Sequence, residues 1–236
     1  MSVPASFAPP LRAVLFDVGN TLLFLDYPRL AAGVGAALGI QLTGAGLAAG
    51  AGAAALAMEQ PRATDQERAG AFLRALFLEA GVAKERLGEV QKCLRRLHGE
   101  QHLWSAIAAG TKDALARLRR AGLRLGVVSN SDGRAEAALE AAGLREEFDV
   151  VVDSALAGVE KPDPAIFRVA LDQLGVRAEE TLYVGDLFEV DVVGARAAGM
   201  PAVLLVPPDV PLPAGCPSVL SLGALADDLL KESPHA

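Results

Sequence analysis

The sequence predicts an α/β fold: a parallel sheet with helices on both faces, carrying a small α-helical domain inserted after its first strand. Three observations predict it. From about residue 111 onward, short apolar runs rich in Val and Leu alternate with amphipathic runs that end at Gly, the signature of successive βαβ units. The apolar run Leu11 to Phe16 has the character of those same strands. Between the two, residues 26 to about 103 are rich in Ala, Gly, Leu and Glu and show no strand pattern.

Taken in order, the first strand, Leu11 to Phe16, ends at Asp17 and breaks into the turn Val18-Gly19-Asn20-Thr21. In the insertion, Phe72, Leu73, Leu76 and Phe77 recur at helical spacing. The low-complexity stretch Thr43 to Ala57 reads as a tightly packed helix, because Ala has the highest helix propensity. Thr111 to Ala121 is a helix with Thr111 as N-cap, and Leu123 to Val128 is a strand. Arg134 to Ala142 is a helix stopped by Gly143, and Phe148 to Val152 is a strand. Asp163 caps a helix that Pro164 opens, which runs to about Leu174 and stops at Gly175. Thr181 to Val184 is a strand, Val190 to Ala198 a helix and Ala202 to Val206 a strand. Pro207, Pro208, Pro211 and Pro213 mark an irregular loop. A short strand near Val219 and a helix from Leu222 to Leu230 follow. The expected division is a core of residues 1–24 and 104–236 with a helical domain of residues 25–103.

With 236 residues, 52% hydrophobic and 22% charged, the chain reads as globular rather than disordered. Its net charge of −7 gives no general attraction to nucleic acid. Cys93 and Cys216 are too few for a disulfide framework and fit a reducing compartment. The start, MSVPASFAPP, has neither the basic nor the apolar region of a signal peptide, and no apolar run approaches the roughly 20 residues of a spanning helix. The expectation is a soluble cytoplasmic protein with no nucleic-acid or membrane partner.

Four polar segments follow predicted strands: Asp17 to Thr21, Ser129-Asn130, Lys161-Pro162, and Gly185-Asp186 with Asp191. In a parallel sheet all strand C-termini share one edge, where open α/β sheets bind ligands. Three carboxylates gathered there (Asp17, Asp186, Asp191) cannot all stay ionised without compensation. A hard divalent ion such as Mg²⁺ supplies it, and Lys161 adds a positive point charge. With the Ser129 hydroxyl and the turn amides after Asp17, the set suits a phosphate. Asp17 is then a candidate nucleophile, attacking phosphorus in line.

Each segment alone has a plainer reading: a turn carboxylate, a helix start, a solvated loop lysine, a tight turn. Their joint occurrence in this order resembles the haloacid dehalogenase-like (HAD) superfamily, on FDVGNT, VVSN, VEKPDP and VGDLFEVD. The resemblance covers residues 11 to 24 and 108 to about 206 and implies a Rossmann-like core with a C1-type helical cap. It implies an aspartyl-phosphate at Asp17, with Mg²⁺ held by Asp17, the Gly19 carbonyl and Asp186, and supported by Asp191. It further implies that Ser129 and Lys161 bind the transferring phosphate. Asn130, Gly19 and Asn20 complete the expected contacts to a small phosphorylated substrate.

One position departs. The family's phosphatases carry a second Asp two residues after the nucleophile, protonating the leaving alcohol and then activating water. Here that residue is Gly19. A positioned general acid or base contributes about 10²- to 10⁴-fold, so acyl and aryl phosphates suffer less from its loss than sugar phosphates. Asn20 cannot be an acid at neutral pH, and Asp26, at the entrance to the helical insertion, is the nearby alternative. Two other functions stay open: 2-haloacid dehalogenase chemistry, against which the retained Gly185-Asp186 argues, and a catalytically weak phosphate-binding regulator. A phosphonatase would need a cap lysine, and neither Lys84 nor Lys92 sits in a recognisable context. His98 and His102 are four apart but Gly99 follows His98, so they read as a chance pair rather than a zinc motif. Cys93 reads as a small buried residue and Trp104 as packing.

Overall fold

The computed structural model describes residues 10–55, 64–206 and 215–231. The four prolines from Pro207 to Pro213, and the start of the chain up to residue 9, lie outside them. Two units result: one is built on the segments ending at Phe24 and resuming at Ala106, and the other is Leu25–Ser105.

The first unit holds a six-stranded sheet. In chain order its strands are β1 (Ala13–Phe16), β4 (Arg124–Ser129), β5 (Val150–Asp153), β6 (Thr181–Gly185), β7 (Ala202–Leu205) and β8 (Ser218–Val219). Every neighbouring pair is parallel, and the spatial order is β5-β4-β1-β6-β7-β8. The short strands β2 (Phe24–Leu25) and β3 (Trp104–Ala106) pair as a two-stranded ribbon. β1 is central because its residues are wholly apolar and fully buried. The chain fills one side of β1 with β4 and β5, then crosses to the other with β6, β7 and β8. That reversal makes the crevice beyond the C-termini of β4, β1 and β6 the switch point of the sheet.

Helices cover both faces. α8 (Pro164–Leu174) packs on β4 and β5. Its Ile166, Phe167, Ala170 and Leu174 join Leu15, Val128, Val152 and Tyr183 in one buried cluster. α5 (Thr111–Arg120) and α10 (Leu222–Lys231) pack on each other. α6 (Ala135–Ala141), the single turn α7 (Ser154–Ala157) and α9 (Val193–Ala197) complete the unit.

Several boundaries differ from expectation, each for a physical reason. Gly110, with φ 82°, is the N-cap of α5, and Thr111 is its first helical residue with a buried side chain. The left-handed turn into the helix needs glycine there, so the threonine is displaced by one position. β5 begins at Val150 rather than Phe148: just before it the Leu125 N–H of β4 donates to the Asp149 carboxylate at 3.0 Å instead of to a backbone carbonyl. The segment expected as a helix from Val190 starts instead as a π-helical turn, Phe188–Val192. β2 and β3, at two and three residues, are too short to leave a periodic signal.

The second unit is helical: α1 (Tyr27–Leu38), α2 (Gly44–Ala55), α3 (Asp65–Glu79) and α4 (Leu87–Glu100). Leu30, Val34, Leu47, Phe72, Leu76, Phe77 and Leu97 form its core, with Cys93 buried and Trp104 packed against it. The Arg29 guanidinium donates to the carbonyls of Leu97, Gln101 and His102, closing the C-terminal end of α4. The His98 and His102 rings meet edge-on with centroids 4.8 Å apart. Cys93 and Cys216 are both free and buried. No helix among the described residues is long and apolar enough to cross a membrane.

Candidate active site

β1 delivers Asp17 directly beyond its last residue, and the Asp17 N–H still donates to the Val184 carbonyl of β6 at 2.9 Å. The chain then coils back on itself, the N–H groups of Leu22 and Leu23 both donating to the Val18 carbonyl at 2.9 and 2.8 Å. Asn20 stands in the left-handed region at φ 54°, which Asn tolerates better than most residues. Gly19 bridges to Leu23 in this turn.

The four sequence segments do meet at one sheet edge. The Lys161 ammonium, brought from the loop before α8, lies 2.6 Å from Asp17 Oδ1 and 2.7 Å from Asp191 Oδ1. Its side chain and that of Asp191 are buried. Carboxylate oxygens of Asp17, Asp186 and Asp191 all lie within 4.8 Å of one another. Asn20 Nδ2 donates to Asp186 Oδ2 at 3.2 Å, joining the first loop to the last. Ser129 ends β4 on the same edge, buried, in register with Asp153 of β5.

The electrostatics follow from this crowding. Burial works against the Lys161 charge, but the Asp17 and Asp191 carboxylates outweigh it and hold its pKa well above the usual lysine value. Asp186 is driven well above the ordinary aspartate range, first by its removal from water and then by the charges of Asp191 and Asp17. Three carboxylates share one ammonium, so the cluster carries surplus negative charge. A hard divalent cation fits that donor set, since oxygen ligands in excess of local positive charge are what Mg²⁺ selects.

Two of the expected site residues hold the site's own loops. Asn130 spends its side-chain amide on Lys161: Nδ2 donates to the Lys161 carbonyl at 3.0 Å, and Oδ1 accepts from the Lys161 N–H at 2.8 Å. It fixes the lysine loop to the end of β4. Asp191 likewise uses its second oxygen to accept the N–H groups of Asp186 at 3.1 Å and Leu187 at 2.9 Å. That grip folds the loop after β6 over Asp191, at the point where the π-helical turn forms; such turns are frequent at functional sites.

Sequence reasoning missed two residues. Tyr183, inside β6, places its hydroxyl 3.0 Å from Lys161 Nζ, and burial keeps that phenol neutral by raising its pKa well above the usual value. Asp153, at the end of β5, accepts the N–H groups of Gly133 at 3.0 Å, Ala135 at 3.1 Å and Ala155 at 3.0 Å. It holds the loop after Ser129 in place. An Asp at a strand end just before a helix is the signal that could have found it.

The profile of the haloacid dehalogenase-like hydrolases matches residues 11–199 of the chain. The chain belongs to that family. It is 33% identical over 193 residues to a phosphoglycolate phosphatase from Xanthomonas campestris, covering 81% of each chain. It is 37% identical over 139 residues to the bovine haloacid dehalogenase-like hydrolase domain-containing protein 3, covering 58% of this chain and 55% of that one. The chain thus spans about half the length of the first curated relatives it matches, or less. The HAD-hydrolase YfnB from Bacillus subtilis, in its orthorhombic crystal form bound to magnesium, superposes with a TM-score of 0.69 at 24% identity. The match covers 93% of this chain and 99% of that one. At that identity the likeness is one of fold.

Proposed function

We propose that this HAD-like hydrolase is a Mg²⁺-dependent phosphohydrolase for a small phosphorylated metabolite, working through an aspartyl-phosphate on Asp17. The observation that carries the reading is the buried contact of Lys161 with both Asp17 and Asp191, beside Asp186. Asp17, the Gly19 carbonyl and Asp186 would hold the cation, which neutralises charge on the phosphate when bound. Asp17 attacks phosphorus, and the leaving oxygen departs with the bonding electron pair. Water then attacks phosphorus, the bond to Asp17 breaks, and inorganic phosphate leaves with the carboxylate restored. Lys161 pairs with Asp17 and aims it, and Ser129 with the turn amides receives the phosphate oxygens. Asn130 and Asp191 keep the lysine and the Asp186 loop in place. The helical unit serves as a C1-type cap that selects the substrate.

The leaving group decides the rate. Gly19 has no side chain to protonate it, and Asp26 is already engaged as the N-cap of α1, accepting the Arg29 N–H at 3.0 Å. Phosphates whose leaving group departs as a weak base are therefore the better substrates. The test compares acetyl phosphate, p-nitrophenyl phosphate and an alkyl phosphate, with Mg²⁺ and with EDTA, against 2-chloroacids. Turnover that requires Mg²⁺ and falls in that order is expected. Halide release from a 2-chloroacid in EDTA overturns the proposal in favour of dehalogenase chemistry. Tight phosphate binding without turnover overturns it in favour of a regulator.

A further inference from the structure

We infer that Tyr183 is a positioning residue for the reaction at Asp17: its hydroxyl takes the third N–H of the Lys161 ammonium and ties the lysine to the end of β4. This rests on the reading of Asp17 as the attacking group.

An ammonium has three N–H donors and no acceptor. Around Lys161 Nζ stand three acceptors of the chain: Asp17 Oδ1 at 2.6 Å, Asp191 Oδ1 at 2.7 Å and Tyr183 Oη at 3.0 Å. Two carboxylates alone leave the head group free to turn about the line between them. The third acceptor removes that freedom. Tyr183 can do this because it is itself immobilised. It lies fully buried in β6 beside β1, and the Phe167 ring meets it edge-on with centroids 5.0 Å apart and planes at 84°.

The hydroxyl also has a proton to place. It donates to the Val128 carbonyl at 3.0 Å, with Asp191 Oδ1 the second acceptor in reach at 3.2 Å. Val128 directly precedes Ser129. One phenol therefore joins the β4 terminus to the lysine loop, beside the Asp191 carboxylate. A phenylalanine would fill the same space and make none of these bonds. Without the hydroxyl the two carboxylates still keep Lys161 charged and buried, but its aim at Asp17 loosens. Small misplacements of a reacting group cost up to about 10²-fold in rate. The loss falls on kcat, because the hydroxyl is committed to the chain's own groups.

The experiment measures kcat and KM for p-nitrophenyl phosphate in Tyr183→Phe. In parallel it records the nitrogen-15 spectrum of the lysine ammonium groups in the full chain. The wild type should give a slowly exchanging ammonium signal that vanishes in Lys161→Met. In Tyr183→Phe that signal should broaden by faster exchange, with kcat down about 10- to 100-fold and KM changed less than threefold. Phe167→Leu, which loosens the ring but keeps the hydroxyl, should retain the signal and lose less kcat. A folded Tyr183→Phe with wild-type kcat and an unchanged signal overturns the proposal. So does a wild-type Lys161 ammonium that exchanges too fast to be seen, whatever the variant does. If no phosphate ester is turned over, the reading of Asp17 has failed, and the ammonium signal decides the tether by itself.

Discussion

Gly185 leaves open the space that the Asp191 carboxylate fills: a Cβ on residue 185 would sit 2.3 Å from Asp191 Cγ and 2.5 Å from its Oδ2. That carboxylate holds Lys161 on one side and the Asp186 and Leu187 amides on the other. A methyl group there therefore displaces the hub of the site. Gly185→Ala is expected to cost about 1–3 kcal/mol by overpacking and to abolish most activity in the protein that still folds. Urea melts and specific activity per folded molecule check it; wild-type activity in the variant contradicts the role given to Asp191.

The reach of the sequence was uneven along this chain. Where a side chain signals through its immediate neighbours, it was readable. Asp163 caps α8 by accepting the Ala165 N–H at 2.8 Å, Pro164 opens the helix, and Gly175 ends it at φ 62°. The polar residues after β1, β4 and β6 stood out because an abrupt change from apolar to polar marks the end of a buried strand. Tyr183 could not be read this way. In a buried parallel strand an aromatic residue is ordinary filling, and only its distance to Lys161 shows what the hydroxyl does. The π-helical turn was hidden for a similar reason: it accompanies contacts that Asp191 makes to Asp186 and Leu187, which periodicity does not report.

Asp153 is the second structural hub, and it is purely an acceptor. Its two oxygens receive three backbone N–H groups from the loops that follow β4 and β5. Asp153→Ala leaves those donors without their partner in a largely buried place. The expected loss is about 2–4 kcal/mol, from a missing cap together with unsatisfied amides. Because the loop between Ser129 and α6 loses its anchor, KM for a phosphate substrate should rise more than kcat falls. Thermal melts and steady-state kinetics check both.

Glu180 links stability to pH at the entrance to β6. Its carboxylate accepts from Arg177 at 3.0 Å, and that bond, resisted by partial removal from water, lowers its pKa below the ordinary glutamate value. A lowered folded-state pKa means the contribution is present above the unfolded value. It is lost as pH falls through the folded one. Glu180→Gln should therefore melt below the wild type at pH 7, and the two curves should converge as pH falls through the lowered folded-state value. A difference in melting temperature that stays constant across the acid range points to packing instead of charge.

Gly19 offers a gain of function. The phosphohydrolase reading assigns slow leaving-group protonation to the missing carboxyl, and the described turn gives that position a bridge to Leu23 rather than a side chain. Gly19→Asp restores an acid two residues after the nucleophile. An acyl phosphate needs little protonation, so its rate of bond breaking should hardly change. An alkyl phosphate needs much, so its kcat should rise at least about tenfold, the lower reach of what general acid catalysis supplies. The ratio of the two rates is the measurement, because it cancels any difference in folded fraction or metal loading. A ratio that stays at the wild-type value, in a variant that melts normally and still responds to Mg²⁺, shows that leaving-group protonation is supplied elsewhere in the protein.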